Sequence, residues 1–203
     1  SIAQIRTILY TAGILQLMRK LKIMPEISET EKTAIEAGDV WVEGELFSGS
    51  PNIEKLLKTP IKGLSDEEQA FLDGPVEELC NIQDDLESYR INDLPEKTWE
   101  FLKKNKFFGL IIPKKYGGLE FSGIGHGEVI AKISTASIPA AITTMVPNSL
   151  GPAELLIHYG TQKQKDYYLP RLAIGEEIPC FALTETHAGS DAGAMQSHGV
   201  IFK

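Results

Sequence analysis

Cysteine is scarce in this sequence. Only Cys80 and Cys180 occur among 203 residues, a hundred positions apart, with no CxxC and no histidine cluster near either. That spacing gives no zinc site and no disulfide framework, and free thiols in a reducing compartment are the expected state. Basic residues are also few: 20 Lys and Arg against 28 Asp and Glu leave a net charge of −8. Phosphate backbones are bound by basic faces, so no nucleic-acid partner is expected. Internal repeats and low-complexity tracts are missing. The composition, 42% hydrophobic and 24% charged, is that of a globular chain rather than a disordered one.

Acid is missing from one end. Ser1–Met24 holds Arg6, Arg19, Lys20 and Lys22 and no Asp or Glu, among many Ile, Leu and Met. The apolar stretch between Arg6 and Arg19 is too short for a bilayer span, which needs about 20 residues. Two readings stand: a basic amphipathic helix on an anionic membrane surface, or a helix docked on its own protein. The chain begins with Ser rather than Met, so an upstream segment is expected to have been removed, and no signal peptide is recognisable.

Helix signals run through most of the rest. Ser28 with Glu31 is a capping-box pattern. Gly44, Gly49, Pro51, Pro60 and Gly63 predict a loop-rich connector over 44–63. Ser65 and Glu68 form a second capping box. From it Phe71, Leu72, Val76, Leu79, Cys80 and Leu86 give one apolar face, with Pro75 kinking or dividing the helix. Another helix is predicted from Pro95 through Trp99 and Leu102, ending before Gly109, and a turn at Tyr116-Gly117-Gly118. Further helices are predicted over Glu128–Ser137, Pro139–Met145 and Pro152–His158. One more is capped by Thr161 and Gln164 and stopped by Gly175. The apolar spacing changes at Ile178, and Pro179–Leu183 and Gly199–Phe202 read as strands. The fold class expected is mainly α: a basic segment and connector over 1–63, a helical domain over 64–175, and the start of a β-domain over 176–203.

The chemically informative run is Cys180-Phe181-Ala182-Leu183-Thr184-Glu185-Thr186-His187-Ala188-Gly189-Ser190-Asp191. A strand ending in a small-residue turn exposes backbone N–H groups and lets a ligand approach closely. Thr184 and Ser190 add hydroxyl donors. This suits a flat ring system with a phosphate tail, as well as a tight loop that satisfies its own backbone. His126, His158 and His198 show no ligand spacing and read as surface groups.

This run resembles the signature of the acyl-CoA dehydrogenase family. So do Phe108–Leu119, which pairs an apolar run and Pro with Tyr-Gly-Gly, Asn148–Gly151 with His158–Pro170, and Gly175–Phe181, in the family's order. The resemblance covers roughly Ser65 to the end. From Met24 to Gly74, Ser28-Glu29-Thr30-Glu31-Lys32, Trp41, Glu45-Leu46-Phe47 and the run from Glu67 to Pro75 resemble the large membrane-associated bacterial branch that serves fatty-acid β-oxidation.

The resemblance implies FAD as cofactor, with Phe181, Leu183 and Thr184 along the flavin ring and Thr184 donating to its pyrimidine side. It implies Gly189 and Ser190 near the diphosphate. Thr143, Val146, Leu150 and Ser190 would line the fatty acyl-CoA, although Thr143, Val146 and Leu150 read equally as plain helix packing. It implies electron-transferring flavoprotein as electron acceptor, a homo-oligomer, and a cytoplasmic place at the bacterial inner membrane. Glu185 is not expected to be the base, which in the family lies in a C-terminal helical domain and so beyond Lys203. The chain by itself is therefore expected to be inactive. Thr186 stands where the family has Pro, His187 where a small residue is common, and Phe181 lacks a tyrosine hydroxyl. Two alternatives remain open: a non-catalytic helical interaction or membrane-surface module of the same shape, and a related acyl-CoA oxidase.

Overall fold

The computed structural model describes residues 5, 10–23, 32–33, 36, 42–47, 49, 51–149, 151–180, 182–189 and 191–202. Its contacts divide the chain into two compact units, Thr59–Ala182 and Ser1–Lys58 with Leu183–Lys203.

In the second of these, helices run over Ala12–Lys20 (α1), Val42–Phe47 (α2) and Ile53–Lys58 (α3). Short helices thus occupy part of the stretch expected to be a loop-rich connector. The cause is local. Asn52 Oδ1 accepts from Lys55 N at 2.9 Å and opens α3. Glu45 of α2 accepts from Asn52 N at 2.9 Å and from Lys55 Nζ at 3.1 Å. The Ser28–Glu31 box lies outside the described residues.

The unit Thr59–Ala182 is helical. Helix α4 (Asp66–Phe71) begins with the capping box read from the sequence: Ser65 Oγ accepts from Glu68 N at 3.3 Å, and Glu68 Oε2 accepts from Ser65 N at 2.7 Å. Pro75 does not end the helix. It is absorbed in a π-turn over Leu72–Val76, where Lys132 Nζ donates to the Leu72 carbonyl at 2.9 Å. Helix α5 (Glu77–Ile82) follows. The apolar face expected to reach Leu86 instead stops at Gln83, whose backbone is extended. The Asp84 side chain accepts from Glu87 N and starts a separate helix, α6 (Asp85–Ile91), with Leu86 59% exposed.

Helix α7 (Glu96–Lys104) starts after Pro95 as expected. Lys106 then adopts φ +60°, and Phe107–Gly109 form a fully buried 3-10 turn. Helix α8 (Gly123–Ser134) starts five residues before the predicted Glu128, because Ser122 Oγ accepts from Gly125 N at 3.0 Å. Helix α9 (Ile138–Asn148) opens on Ser137 and runs through Pro147. Helices α10 (Pro152–Tyr159) and α11 (Gln162–Ala173) complete the unit. Helix α11 carries the Thr161–Gln164 box, and Gly175 at φ +68° terminates it.

Two apolar clusters hold the unit. One is built around Val76, Leu79, Leu102, Phe107, Val129 and Ile133. The other is built around Ile112, Ala153, Leu169 and Ala173. Phe71, Phe101 and Phe107 meet ring to ring, with centroids 4.9 and 6.1 Å apart. Gly109 is required by close packing, since a Cβ there would stand 2.9 Å from the Ala173 backbone.

The protein is mainly helical. The stretches read as strands, Pro179–Leu183 and Gly199–Phe202, carry neither helix nor β-ladder among their described residues; an isolated bridge, Glu185–Ala188, lies between them. A strand exists by pairing, and no partner edge faces these stretches among the described residues. Among the described residues no helix is long and apolar enough to cross a membrane.

The left-handed Lys106 gives a first prediction. A side chain at φ +60° is strained, and glycine relieves it. Lys106→Gly should raise stability by about 0.5 kcal/mol, net of glycine's larger unfolded-state entropy. Urea unfolding of the two chains checks it, and a loss of stability would contradict it.

Candidate functional site

The residues expected to meet a cofactor sit on one loop. Leu183, Thr184 and Gly189 are exposed there or nearly so; Phe181 and Ser190 lie outside the described residues. The loop closes on itself. Glu185 N donates to Ala188 O at 3.0 Å and Ala188 N to Glu185 O at 3.3 Å, around the turn Thr186-His187. Ala188 is buried beneath it. The Glu185 carboxylate accepts from Gln196 N at 2.9 Å and Ser197 N at 3.1 Å, tying residues 196–197 back to the turn. Hydrogen bonding from the Ser197 side chain, then from the Gln196 backbone, holds its pKa below the usual carboxylate range. An ionised, amide-bound carboxylate is a weak proton acceptor, so the geometry gives Glu185 a structural task.

A shallow depression of about 380 Å³ lies against this turn, lined by Glu185, Thr186, His187, Gln196, Ser197 and His198. Leu183, Thr184 and Gly189 do not line it. The Thr184 hydroxyl makes no hydrogen bond with a described residue, and a Cβ built on Gly189 would meet open space.

The acyl-lining candidates lie on α9, in the other unit. Thr143 and Val146 are half-buried, and Leu150 is outside the described residues. Core contact is made by Ala140, Ala141, Thr144 and Asn148. Ile138, Ile142 and Met145, at steps of four and three, are exposed instead. Helix α9 is therefore apolar on both sides, a pattern found where helices are covered all round.

Three residues had a place that sequence patterns did not reveal. Asn148, 2% exposed, donates through Nδ2 to Phe107 O at 2.6 Å and Thr144 O at 2.8 Å. Its Oδ1 accepts from Ile111 N at 3.3 Å. A polar residue in register with Ala141 and Thr144 on an apolar helix was the available signal. Glu68, read as a capping residue only, also accepts from Ser122 N at 2.7 Å and so joins α4 to the start of α8. A Cβ at Gly125 would collide with its carboxylate. Nothing in the sequence links positions 68 and 122. His126 is half-buried rather than a surface group. Its Nε2 lacks a partner among the described residues, and burial pushes its pKa down against the opposing charge of Glu154.

The chain belongs to the acyl-CoA dehydrogenase family: the family's N-terminal domain matches residues 65–176. It is 29% identical over 196 residues to the human mitochondrial very long-chain specific acyl-CoA dehydrogenase, covering 94% of this chain and 30% of that protein. It is 38% identical over 120 residues to the 3-(aryl)acrylate reductase of Clostridium sporogenes, 59% of this chain and 31% of that one. The chain thus spans about a third of the length of these curated relatives. Among solved structures, a chain from work on the electron transferring flavoprotein of Acidaminococcus fermentans aligns with TM-score 0.59 and 26% identity, over 68% of this chain and 36% of that one. Butyryl-CoA dehydrogenase from Megasphaera elsdenii aligns with TM-score 0.57 and 23% identity, over 68% of this chain and 37% of the other, and shares the fold.

Proposed function

We propose that this chain is part of an FAD-dependent dehydrogenase that converts fatty acyl-CoA to trans-2-enoyl-CoA in β-oxidation, working as a homo-oligomer on a cytoplasmic membrane face. The observation that carries the reading is α9. Its outer side, Ile138, Ile142 and Met145, is apolar and uncovered, beside Thr143 and Val146. Such a face suits an alkyl chain, and with Leu150 it would hold one by burial alone.

Bound FAD would supply the hydride acceptor. Phe181 and Leu183 would bear on its ring. Thr184 would donate its unspent hydroxyl where negative charge develops. Gly189 would allow close approach of the diphosphate, and Ser190 would hydrogen-bond it beside the thioester. Glu185 would keep the turn in shape through its two amide bonds. The α-proton would leave to a carboxylate elsewhere in a family-length polypeptide. Electron-transferring flavoprotein would take the electrons onward; the likeness to the Acidaminococcus chain supports that partner.

The test is stopped-flow reduction of bound flavin by an acyl-CoA, in the family-length polypeptide that carries this chain. Thr184→Val keeps the shape and removes the donor, and should slow reduction about tenfold. Glu185→Gln should leave the rate within about a factor of two, because no proton passes through it and water reaches this half-exposed side chain to replace the amide bond that glutamine cannot accept. If Glu185→Gln abolished reduction while flavin stayed bound, and Thr184→Val changed nothing, both role assignments would be wrong.

A further inference from the structure

We propose that α1 is a lipid-surface helix that lies in the plane of an anionic bilayer. None of its residues is buried. Ile14, Leu17 and Leu21 recur at steps of three and four and are each more than half exposed, with Leu15 beside them. The helix needs no protein partner to finish its end. Lys22 takes φ +55°, and Lys22 N donates to Arg19 O at 3.2 Å and Ile23 N to Met18 O at 3.1 Å, a closing motif that satisfies the last carbonyls. What remains unsatisfied is the apolar arc.

Charge selects the occupant of that arc. Arg19, Lys20 and Lys22 cluster at the helix end, make no ion pair with a described residue, and meet no acid in the sequence before Glu26. By helical spacing Lys20 falls on the flank of the arc beside Leu17 and Arg19 on the opposite side, and their long stems can carry the charges down to headgroup level. A second copy of the helix would bring the same cations together, whereas anionic phospholipid offers both an apolar layer and negative headgroups. The length suits lying on a surface: nine residues extend about 14 Å, half of what a span requires.

This deepens the proposed membrane-face location and rests on it. It is independent of flavin, so vesicle binding and the Thr184 test can fail separately. The experiment is flotation of the chain with vesicles of phosphatidylcholine plus phosphatidylglycerol, against phosphatidylcholine alone. The chain should float with the anionic vesicles and detach as salt rises. The triple variant Arg19→Gln, Lys20→Gln, Lys22→Gln should weaken partitioning roughly 100-fold, at about fivefold per charge. Leu17→Gln with Leu21→Gln should also abolish binding, although all three cations remain. With Ile14→Trp, anionic vesicles should shift the tryptophan emission to the blue, reporting immersion. Three results would overturn the proposal: no flotation with either vesicle, equal flotation with both, or self-association that Leu17→Gln with Leu21→Gln dissolves while no vesicle is bound.

Discussion

Asn148→Leu should destabilise the chain by about 4 kcal/mol: leucine keeps the branching of the side chain but is bulkier and carries no polar group. The amide serves two elements at once. Nδ2 donates to Phe107 O and Oδ1 accepts from Ile111 N, so one side chain pins both sides of the buried turn that follows α7 to the end of α9. Leucine satisfies neither group. The Phe107 carbonyl sits in a fully buried residue where water cannot replace the bond, and each stranded buried group costs roughly 1–3 kcal/mol. Thr144 O loses less, because the helix still bonds it. Asn148→Asp should be nearly as harmful, since a carboxylate can accept from Ile111 N but cannot donate to Phe107 O. Equilibrium urea unfolding gives the energy, and amide exchange gives the location: the Ile111 amide should lose protection before amides of α11. A loss under about 1 kcal/mol would mean that the turn finds other partners. The consequence for function lies in the same helix. The turn fixes the register of α9, which carries Thr143 and Val146, so under the proposed function acyl-CoA affinity should weaken along with stability.

Local chemistry made much of this fold legible. Ser65 with Glu68, Thr161 with Gln164, Pro95 and Gly175 mark helix ends because a cap acts within three or four residues of itself. The same logic explains two misreadings. Leu86 keeps the spacing of the preceding apolar face, yet Asp84 forms a cap that breaks the run, and a short-range bond outweighs a continued pattern. Gly and Pro density over 44–63 suggested loop, while Asn52 supplied the start of α3. The turn over Glu185–Ala188 was legible because a tight turn is a local event, bonded between residues three positions apart. The Asn148 bonds were not, since they span 41 and 37 positions and leave no pattern at any fixed spacing. Over 179–183 and 199–202 no β-ladder forms among the described residues for a related reason: a strand is half of a pair, and β-propensity says nothing about where its partner lies.

Glu68→Gln should remove about 3 kcal/mol at neutral pH and flatten the acid limb of the stability curve. The Glu68 carboxylate is 4% exposed and accepts from the backbone amides of Ser65 and Ser122. Hydrogen bonding from Ser65 N contributes most to lowering its pKa to about 2 from 4.5; the Ser122 bonds add to it, and burial opposes them. The shift is downward, so the folded state holds the ionised form more strongly than the unfolded state does. The stabilisation is complete above the unfolded value of 4.5 and is lost as pH falls from there through about 2. Between those limits the unfolded chain binds a proton at this position that the folded chain does not, so acid favours unfolding of the parent, whereas glutamine has no proton to take up. Glutamine keeps the shape and can accept one of the two amide bonds, but its NH2 group then faces the other donor. It has no charge to reinforce the pair. The Gly125 backbone, packed against the carboxylate, leaves no room for the side chain to turn away. Urea unfolding of parent and variant at neutral pH and near pH 3 separates the contributions. The difference should be largest at neutral pH and should shrink as pH drops, because protonation brings the parent toward the state glutamine mimics. A difference that stayed constant across that range would show that packing, rather than the ionised carboxylate, joins α4 to α8.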